Sequence, residues 1–186
     1  MYTVTIWQLR ACLPLYSYNE IVCMAQGMQF SELYTRYMEC DETIKVNIAD
    51  ICNKINMHVA IDAMAAAGCY NRDLRMFGIW CAEQVQHLAP QSIYTDCIDA
   101  AKKYANGESS LGEMLYIRYK ASQRPFTPLN ENTYRAASIA LNVCGKHDRL
   151  AASQAAAGMI NILISDDMSK YKSANASQAE MFTKMC

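Results

Sequence analysis

Residues 71–107 carry the most sharply bounded helical pattern in the chain, and this pattern restricts the fold to packed helices. Apolar residues in the first half recur at spacings of three and four, which places them on one helix face: Leu74, Phe77, Cys81, Val85 and Leu88. Asn71 suits an N-cap position. Pro90 ends the helix, because the residue before a proline avoids the helical region.

A second helix completes a hairpin and begins near Ser92 or Thr95. Its apolar side comprises Cys97, Ile98, Ala101, Tyr104 and Ala105. Asn106 and Gly107 follow, and both residue types tolerate the left-handed backbone that ends many helices. The stretch therefore predicts two antiparallel helices joined by a short loop.

Composition extends this prediction to the rest of the chain. The 186 residues are 52% hydrophobic and 19% charged, and they include only 7 glycines and 4 prolines. Alanine, methionine, glutamine and leucine are frequent, and these residues favour helices. We therefore predict an all-α fold, an antiparallel multi-helix bundle or short helical array of about eight or nine helices.

The positions of prolines, glycines and polar stretches along the chain predict the domain organisation. Residues 1–165 are expected to form a single helical domain, with 125–132 as the candidate boundary between subdomains. Residues 166–186 are expected to be a polar linker, followed by a fraying C-terminal helix from Gln178. Residues 43–67 predict one long helix, or two that separate near Asn56.

The first residues allow two interpretations. Thr3 to Ile6 form a β-branched run that suits a strand, but a lone strand has no partner to pair with. A first helix from Thr5 to Cys12, broken by Pro14, is therefore preferred. Further along, Ser110 with Glu113 predicts a capping box, and Asp148 predicts the cap of a later helix.

Nine cysteines are present, an odd number, and no two are spaced as CxxC. Several lie on apolar helix faces, where cysteine acts as a small hydrophobic residue. The start of the chain has no signal-peptide pattern, and no apolar stretch approaches the roughly 20 residues that cross a membrane. These features predict a reduced, cytoplasmic protein with free thiols and no membrane partner.

Motifs for chemistry are missing from the sequence. The three histidines form neither HExxH nor ExxH, and glycine-rich phosphate loops are absent. Cys144 and His147 are the best remaining pair for a nucleophile and its base, although Gly145 interrupts the helix that would align them. We therefore predict no catalytic residues, no metal site, no cofactor and a non-enzymatic function.

Two patches combine tyrosine with charge, a combination favoured at binding hot spots. The first patch is acidic and comprises Tyr34, Tyr37, Glu39, Asp41 and Glu42. The second is basic and comprises Tyr116, Arg118, Tyr119, Lys120 and Arg124. An acidic patch suits a basic partner, such as a nuclease toxin or a nucleic-acid enzyme.

The hairpin sequences LRMFGIWCAEQV and CIDAAKKYANGE resemble a helical family of predicted immunity proteins from bacterial polymorphic toxin systems. Family members share a Cys-Ala pair, matched by Cys81-Ala82, and a helix ending in Gly-Glu, matched by residues 98–108. Ala-rich helices after Tyr134 fit as well. The likeness is sharpest over residues 74–108. It implies a helical fold and an immunity function, and it carries over no catalytic residue.

The preferred hypothesis is a protein-binding inhibitor of the immunity or phage counter-defence type, which blocks a toxin or a defence or host enzyme by covering it. Two alternatives stay open. One is an oligomeric phage accessory protein that contacts nucleic acid through Arg118, Lys120 and Arg124, although the net charge of −1 argues against nucleic acid. The other is an enzyme with a Cys144/His147 site.

Overall fold

The structure is a computed structural model that describes residues 2–12, 22–23, 25–27, 29, 44–68, 70–124, 130–165 and 168–186. Over these residues the protein is all-α apart from one two-stranded sheet, which confirms the predicted fold class. The chain divides into two compact units: Met1–Tyr70 with Ala179–Cys186, and Asn71–Gln178. The predicted single domain over residues 1–165 stays a prediction.

Among the described residues, the first unit contains the sheet, three helices that lie wholly within it and, from Ala179, the end of the C-terminal helix. Its elements are β1 (Thr3–Thr5), α1 (Ile6–Cys12), β2 (Lys45–Asn47), α2 (Ile48–Lys54) and α3 (Met57–Ala67). The strands pair antiparallel, with Val4 opposite Val46, and both of these valines are fully buried. The expectation that the run from Thr3 lacks a strand partner is therefore wrong.

The pairing also corrects the predicted helix over 43–67. Residues 45–47 form the partner strand, and α2 begins at Ile48. The predicted break near Asn56 is confirmed, because the Asn56 side chain caps α3 by accepting from the Val59 N–H at 2.9 Å. Gly68 ends α3 with a φ of 74°, a left-handed conformation that suits glycine.

The second unit is a set of packed helices. They are α4 (Asn71–Val85), α5 (Ser92–Ala105), α6 (Leu111–Ser122), α7 (Glu131–Val143) and α8 (Asp148–Ile164), followed by α9 (Tyr171–Met185), which contributes its residues up to Gln178. One 3₁₀ turn (Gln86–Leu88) ends the first hairpin helix and another (Met168–Lys170) precedes α9. The hairpin predicted over residues 71–107 is thus α4 and α5, and Gly107 follows with a φ of 74°.

Helices α4 and α8 approach each other closely at small residues. A Cβ atom placed on Gly78 would lie 3.2 Å from the carbonyl oxygen of Ala151 and 3.3 Å from the Cα atom of Ala152. The buried residues Ala155 and Ala156 continue this face of α8. The Ala-rich segment therefore permits the close helix contact that small side chains allow.

Two predicted boundaries differ from the structure for tertiary reasons. Asp148 does not cap α8; His147 precedes that helix without a side-chain cap bond, and the Asp148 carboxylate accepts from Arg75 instead. Helix α9 begins at Tyr171, before the predicted Gln178. Ala174 and the fully buried Gln178 lie one turn apart on its inner side. Because Gln178 is polar, the apolar spacing that predicts a buried helix face is interrupted there.

Within the described residues, no helix is both long enough and apolar enough to cross a membrane.

Candidate functional site

Of the helices α4 to α7, α6 has the fewest buried residues. It also exposes two aromatic side chains. Met114 and Ala121 are its only buried residues. Tyr116 is 59% exposed and Tyr119 is 60% exposed. The Lys120 ammonium lies 5.3 Å from the centroid of the Tyr116 ring, a cation–π distance. We call Tyr116, Tyr119 and Lys120 the tyrosine ridge.

A capping box begins the helix that carries the ridge, as predicted. The Ser110 hydroxyl accepts from the Glu113 N–H at 3.2 Å, and the Glu113 carboxylate accepts from the Ser110 N–H at 2.7 Å. The Ser110 N–H and then the Ser110 hydroxyl lower the pKa of Glu113 below its ordinary value, so the carboxylate stays ionised. This arrangement sets the first turn of α6.

Replacing Ser110 by alanine is expected to lower the free energy of unfolding by about 1 kcal/mol, the usual effect of losing an N-cap side chain. Urea unfolding measures the change. Ser122→Ala is the control, because its hydroxyl only donates to the Tyr119 carbonyl at the exposed end of the same helix. A loss for Ser110→Ala no larger than the loss for Ser122→Ala would show that the capping box does not stabilise α6.

The same variant has a pH dependence with a defined sign. Because the folded pKa of Glu113 is lowered, its stabilising contribution is present above the ordinary glutamate pKa. It is lost as the pH falls through the lower folded value. Alanine keeps the Ser110 N–H but removes the hydroxyl that also donates to the Glu113 carboxylate, so the difference in stability between the protein and Ser110→Ala should shrink in acid by the share of the hydroxyl.

An acidic cavity of about 540 Å³ lies beside the ridge, between α5 and α6. Tyr116 lines it together with four carboxylates and one ammonium: Asp96, Asp99, Glu108, Glu113 and Lys103. The balance of charge favours a cationic group, such as a lysine or arginine side chain of another molecule.

A basic groove of about 260 Å³ lies where α6 faces the turn between α7 and α8. Arg118, Lys146 and His147 line it, and none of the described residues in its lining is acidic. Two of its lining residues, Asn142 and Gln154, also line a further hollow of about 330 Å³ that reaches the exposed side chain of Tyr134. Opposite charges thus flank α6.

The structure separates the predicted basic patch. Tyr116, Tyr119 and Lys120 share the exposed side of α6, and Arg124 is exposed just beyond the end of that helix. Arg118 is half-buried and lines the basic groove instead. Helical geometry is the reason, because positions two apart diverge by about 200°.

The predicted acidic patch of Tyr34, Tyr37, Glu39, Asp41 and Glu42 lies outside the described residues, and so does most of the predicted boundary at 125–132. Both stay predictions.

A buried arginine below the basic groove has no counterpart among the predicted site residues. The Arg75 side chain is 1% exposed, and its Nε donates to the Asp148 carboxylate at 2.5 Å. Its Nη1 donates to the Val143 carbonyl at 2.6 Å, and its guanidinium lies 5.0 Å from the Tyr104 ring centroid. Arg75 directly follows Leu74 and so lies about 100° around the helix from it, beside the apolar face, where spacing alone predicts a surface residue.

The alternative catalytic pair is not brought together as a nucleophile and its base. Cys144 is fully buried whereas His147 is exposed. The Cys144 thiol donates to the Met114 carbonyl at 3.1 Å. Among the residues that the structure describes, no three His, Cys, Asp or Glu side chains are placed to hold a metal ion.

Comparison with known proteins returns no matching family model, no matching curated protein and no matching solved structure. The resemblance to immunity proteins therefore stays a prediction, and the surface of the second unit has to be interpreted from its own chemistry.

Proposed function

We propose that this protein is a non-enzymatic binding protein of the immunity or counter-defence type, which inhibits a partner protein by covering part of its surface. The proposal rests on the tyrosine ridge, in which both tyrosines are exposed. An acidic cavity lies on one side of α6 and a basic groove lies on the other. Tyrosines at the centre of such a patch are typical binding hot spots.

The ridge offers a large contact area at a small entropic cost. Tyr116 and Tyr119 each have only two side-chain torsions to immobilise on binding. The capping box holds the first turn of their helix, and the Met114 and Ala121 side chains anchor it to the unit. Such a preorganised helix loses little freedom when a partner binds.

The charge on both sides of the ridge favours a protein partner over nucleic acid. Phosphates would meet the carboxylates of Asp96, Asp99 and Glu108 beside Tyr116 and be repelled by them. A protein surface can present a basic side chain to the acidic cavity and an acidic side chain to the basic groove. The net charge of −1 points the same way.

The double variant Tyr116→Ala/Tyr119→Ala tests the proposal. Wild-type and variant proteins are used to recover partners from the source organism, and the Kd of a recovered protein is then measured by calorimetry. Two hot spots of about 2 kcal/mol each would weaken binding by at least about 100-fold. Exposed positions of this kind change stability by only about 0.5 kcal/mol, so the variant should stay folded.

Tyr171→Ala is the matched control, since Tyr171 is an exposed tyrosine on another helix of the chain. A partner that binds the double variant as tightly as the wild type would show that the tyrosine ridge is not its binding surface.

Nucleic acid is the second candidate, and the basic groove favours it. In that case Arg118→Ala, rather than the tyrosine variant, would weaken binding, and the affinity would fall steeply with salt. Titration of duplex and single-stranded DNA and RNA at two salt concentrations separates the two functions.

A further inference from the structure

Two adjoining hollows lie along α7 and α8, and their linings differ in chemistry. The first is the basic groove, of about 260 Å³, and the second is the hollow of about 330 Å³ that reaches Tyr134. Asn142 of α7 and Gln154 of α8 line both. Ligand pockets in proteins have volumes of roughly 300–1,000 Å³, and the two hollows together fall within that range.

Arg118 gives the basic groove a cation without a counter-ion. Its side chain is half-buried, and a Cβ atom placed on Gly145 would lie 3.4 Å from the Arg118 Nη1. The guanidinium therefore lies against this glycine, in the lining of the groove. Among the described residues, no side chain or carbonyl forms a hydrogen bond or an ion pair with it. A guanidinium with all its N–H donors available favours an anion that accepts from two of them.

The surroundings of the groove add to this preference for an anion. Lys146 and His147 are exposed in its lining. Asp148 follows them, but its carboxylate accepts from the buried Arg75 at 2.5 Å, so its charge is compensated. The first turn of α8 also lines the groove, and no side chain of His147 caps it. Because the N–H groups at the start of a helix carry positive partial charge, this turn too favours the oxygens of an anion.

The second hollow offers contacts for a flat polar ring. Tyr134 is 55% exposed at its edge, and three side-chain amides lie in its lining, those of Asn142, Gln154 and Asn161. Each amide carries both donors and an acceptor. The apolar part of the lining comprises Ile139, Ala157 and Gly158. A heterocycle could stack on the tyrosine ring and exchange hydrogen bonds with the amides, as nucleobases do in many binding sites.

Charge determines which end of such a ligand enters which hollow. Arg135 lines the second hollow, but its Nη2 donates to the Glu131 carboxylate at 2.5 Å, so its charge is compensated. The anionic end is therefore better placed at Arg118. A phenyl ring, as in phosphotyrosine, would offer the three amides no hydrogen bonds, whereas a nucleobase has donors and acceptors along its edge.

We propose that the basic groove and the second hollow together bind a nucleoside monophosphate, with its phosphate at Arg118 and its base against Tyr134. A phosphate monoester carries about two negative charges at neutral pH, which Arg118 and Lys146 match. The site shares the basic groove with the surface of the proposed function but does not include the tyrosine ridge. This inference therefore does not rest on the proposed function, and nucleotide binding can be present or absent independently of partner binding.

NMR titration of the wild-type full chain tests the proposal without any variant. The probes are AMP, GMP, CMP and UMP, each compared with its own nucleoside and with ribose 5-phosphate. At least one monophosphate should bind about tenfold more tightly than either of its parts, because the linked phosphate and base occupy both hollows at once. If no monophosphate binds more tightly than both of its parts, the two hollows do not form one site and the proposal is wrong.

Two variants assign the two ends of the ligand. Arg118→Gln should weaken binding of the monophosphate about tenfold, through loss of charge-assisted hydrogen bonds, and leave binding of the nucleoside unchanged. Tyr134→Ala should weaken binding of the monophosphate and of the nucleoside about fivefold, through loss of stacking, and leave binding of ribose 5-phosphate unchanged. Because each variant keeps one half of the site, a variant that fails to fold is recognised by the loss of both. The reverse pattern would contradict the proposed orientation.

Arg72→Gln and Tyr171→Ala are the matched controls, since they change the same residue types at exposed positions outside both hollows. Neither should alter binding of the monophosphate. An equal loss for Arg72→Gln and Arg118→Gln would show that binding reflects the overall charge of the protein and would overturn the proposal. So would tighter binding of a single-stranded oligonucleotide without terminal phosphates than of every monophosphate, because the groove would then bind a nucleic-acid backbone.

Discussion

Arg75→Ala is expected to lower the free energy of unfolding of the second unit by about 3–5 kcal/mol, the effect of removing one partner of a buried ion pair. The Arg75 side chain is 1% exposed and bonds to the Asp148 carboxylate and the Val143 carbonyl. After the change, the carboxylate has lost its cation and the carbonyl has lost its donor. Both groups would then face a cavity.

The structure supplies a matched control on the same helix. Arg72 is also an arginine of α4 with an acidic neighbour, Asp73, at 3.5 Å, but its side chain is 61% exposed. Exposed pairs contribute about 0–1 kcal/mol, so Arg72→Ala should change stability little. Equal losses for the two variants would show that the buried network does not hold the helices together.

Tryptophan fluorescence gives this measurement a local readout. The chain has two tryptophans, Trp7 in the first unit and Trp80 on α4 in the second. In a Trp7→Phe background, urea unfolding followed by fluorescence reports the second unit alone. Comparing the variants in this background avoids mixing the unfolding of the two units.

Gly78→Val is expected to lower the free energy of unfolding by about 3 kcal/mol, at the upper end of the range for overpacking. A Cβ at this position would lie 3.2 Å from the Ala151 oxygen and 3.3 Å from the Ala152 Cα, and these are backbone atoms that cannot rotate away. Helices α4 and α8 would have to move apart. The same fluorescence experiment measures the loss.

Gly112→Ala, another substitution of a helical glycine, is expected to have the opposite effect on stability. A Cβ atom at this exposed position of α6 would meet only the Ser110 hydroxyl, at 3.9 Å. Alanine is a better helix former than glycine by up to about 1 kcal/mol, so this change should stabilise the protein. A Gly78→Val variant as stable as the wild type would mean that α4 and α8 do not depend on close backbone contact.

Helix caps and helix ends were predicted well, because they depend on interactions between residues close together in the chain. The break near Asn56, the Ser110–Glu113 box and the helix end at Gly107 each involve residues a few positions apart. A side chain that bonds to a backbone group one turn away needs nothing from the rest of the fold. The same holds for the apolar faces of α4 and α5, whose spacing follows from the helical repeat.

The errors have a common cause, which is pairing between distant segments. The strand from Thr3 needs β2, about forty residues along the chain, and no spacing rule connects the two. Asp148 has the chemistry of a helix cap, yet Arg75 takes its carboxylate. Gln178 is a polar residue on a buried stripe because its amide donates to the Ala156 carbonyl at 2.9 Å.

For the candidate site, the position of Tyr116, Tyr119 and Lys120 on one capped helix could be predicted from the sequence, because helix formation there depends on neighbours within a turn. Two further features come from tertiary packing: these side chains point away from the core, and Arg118 lines the basic groove. Each of these depends on which helix faces lie against each other, and packing between helices is set by the whole core rather than by any one segment.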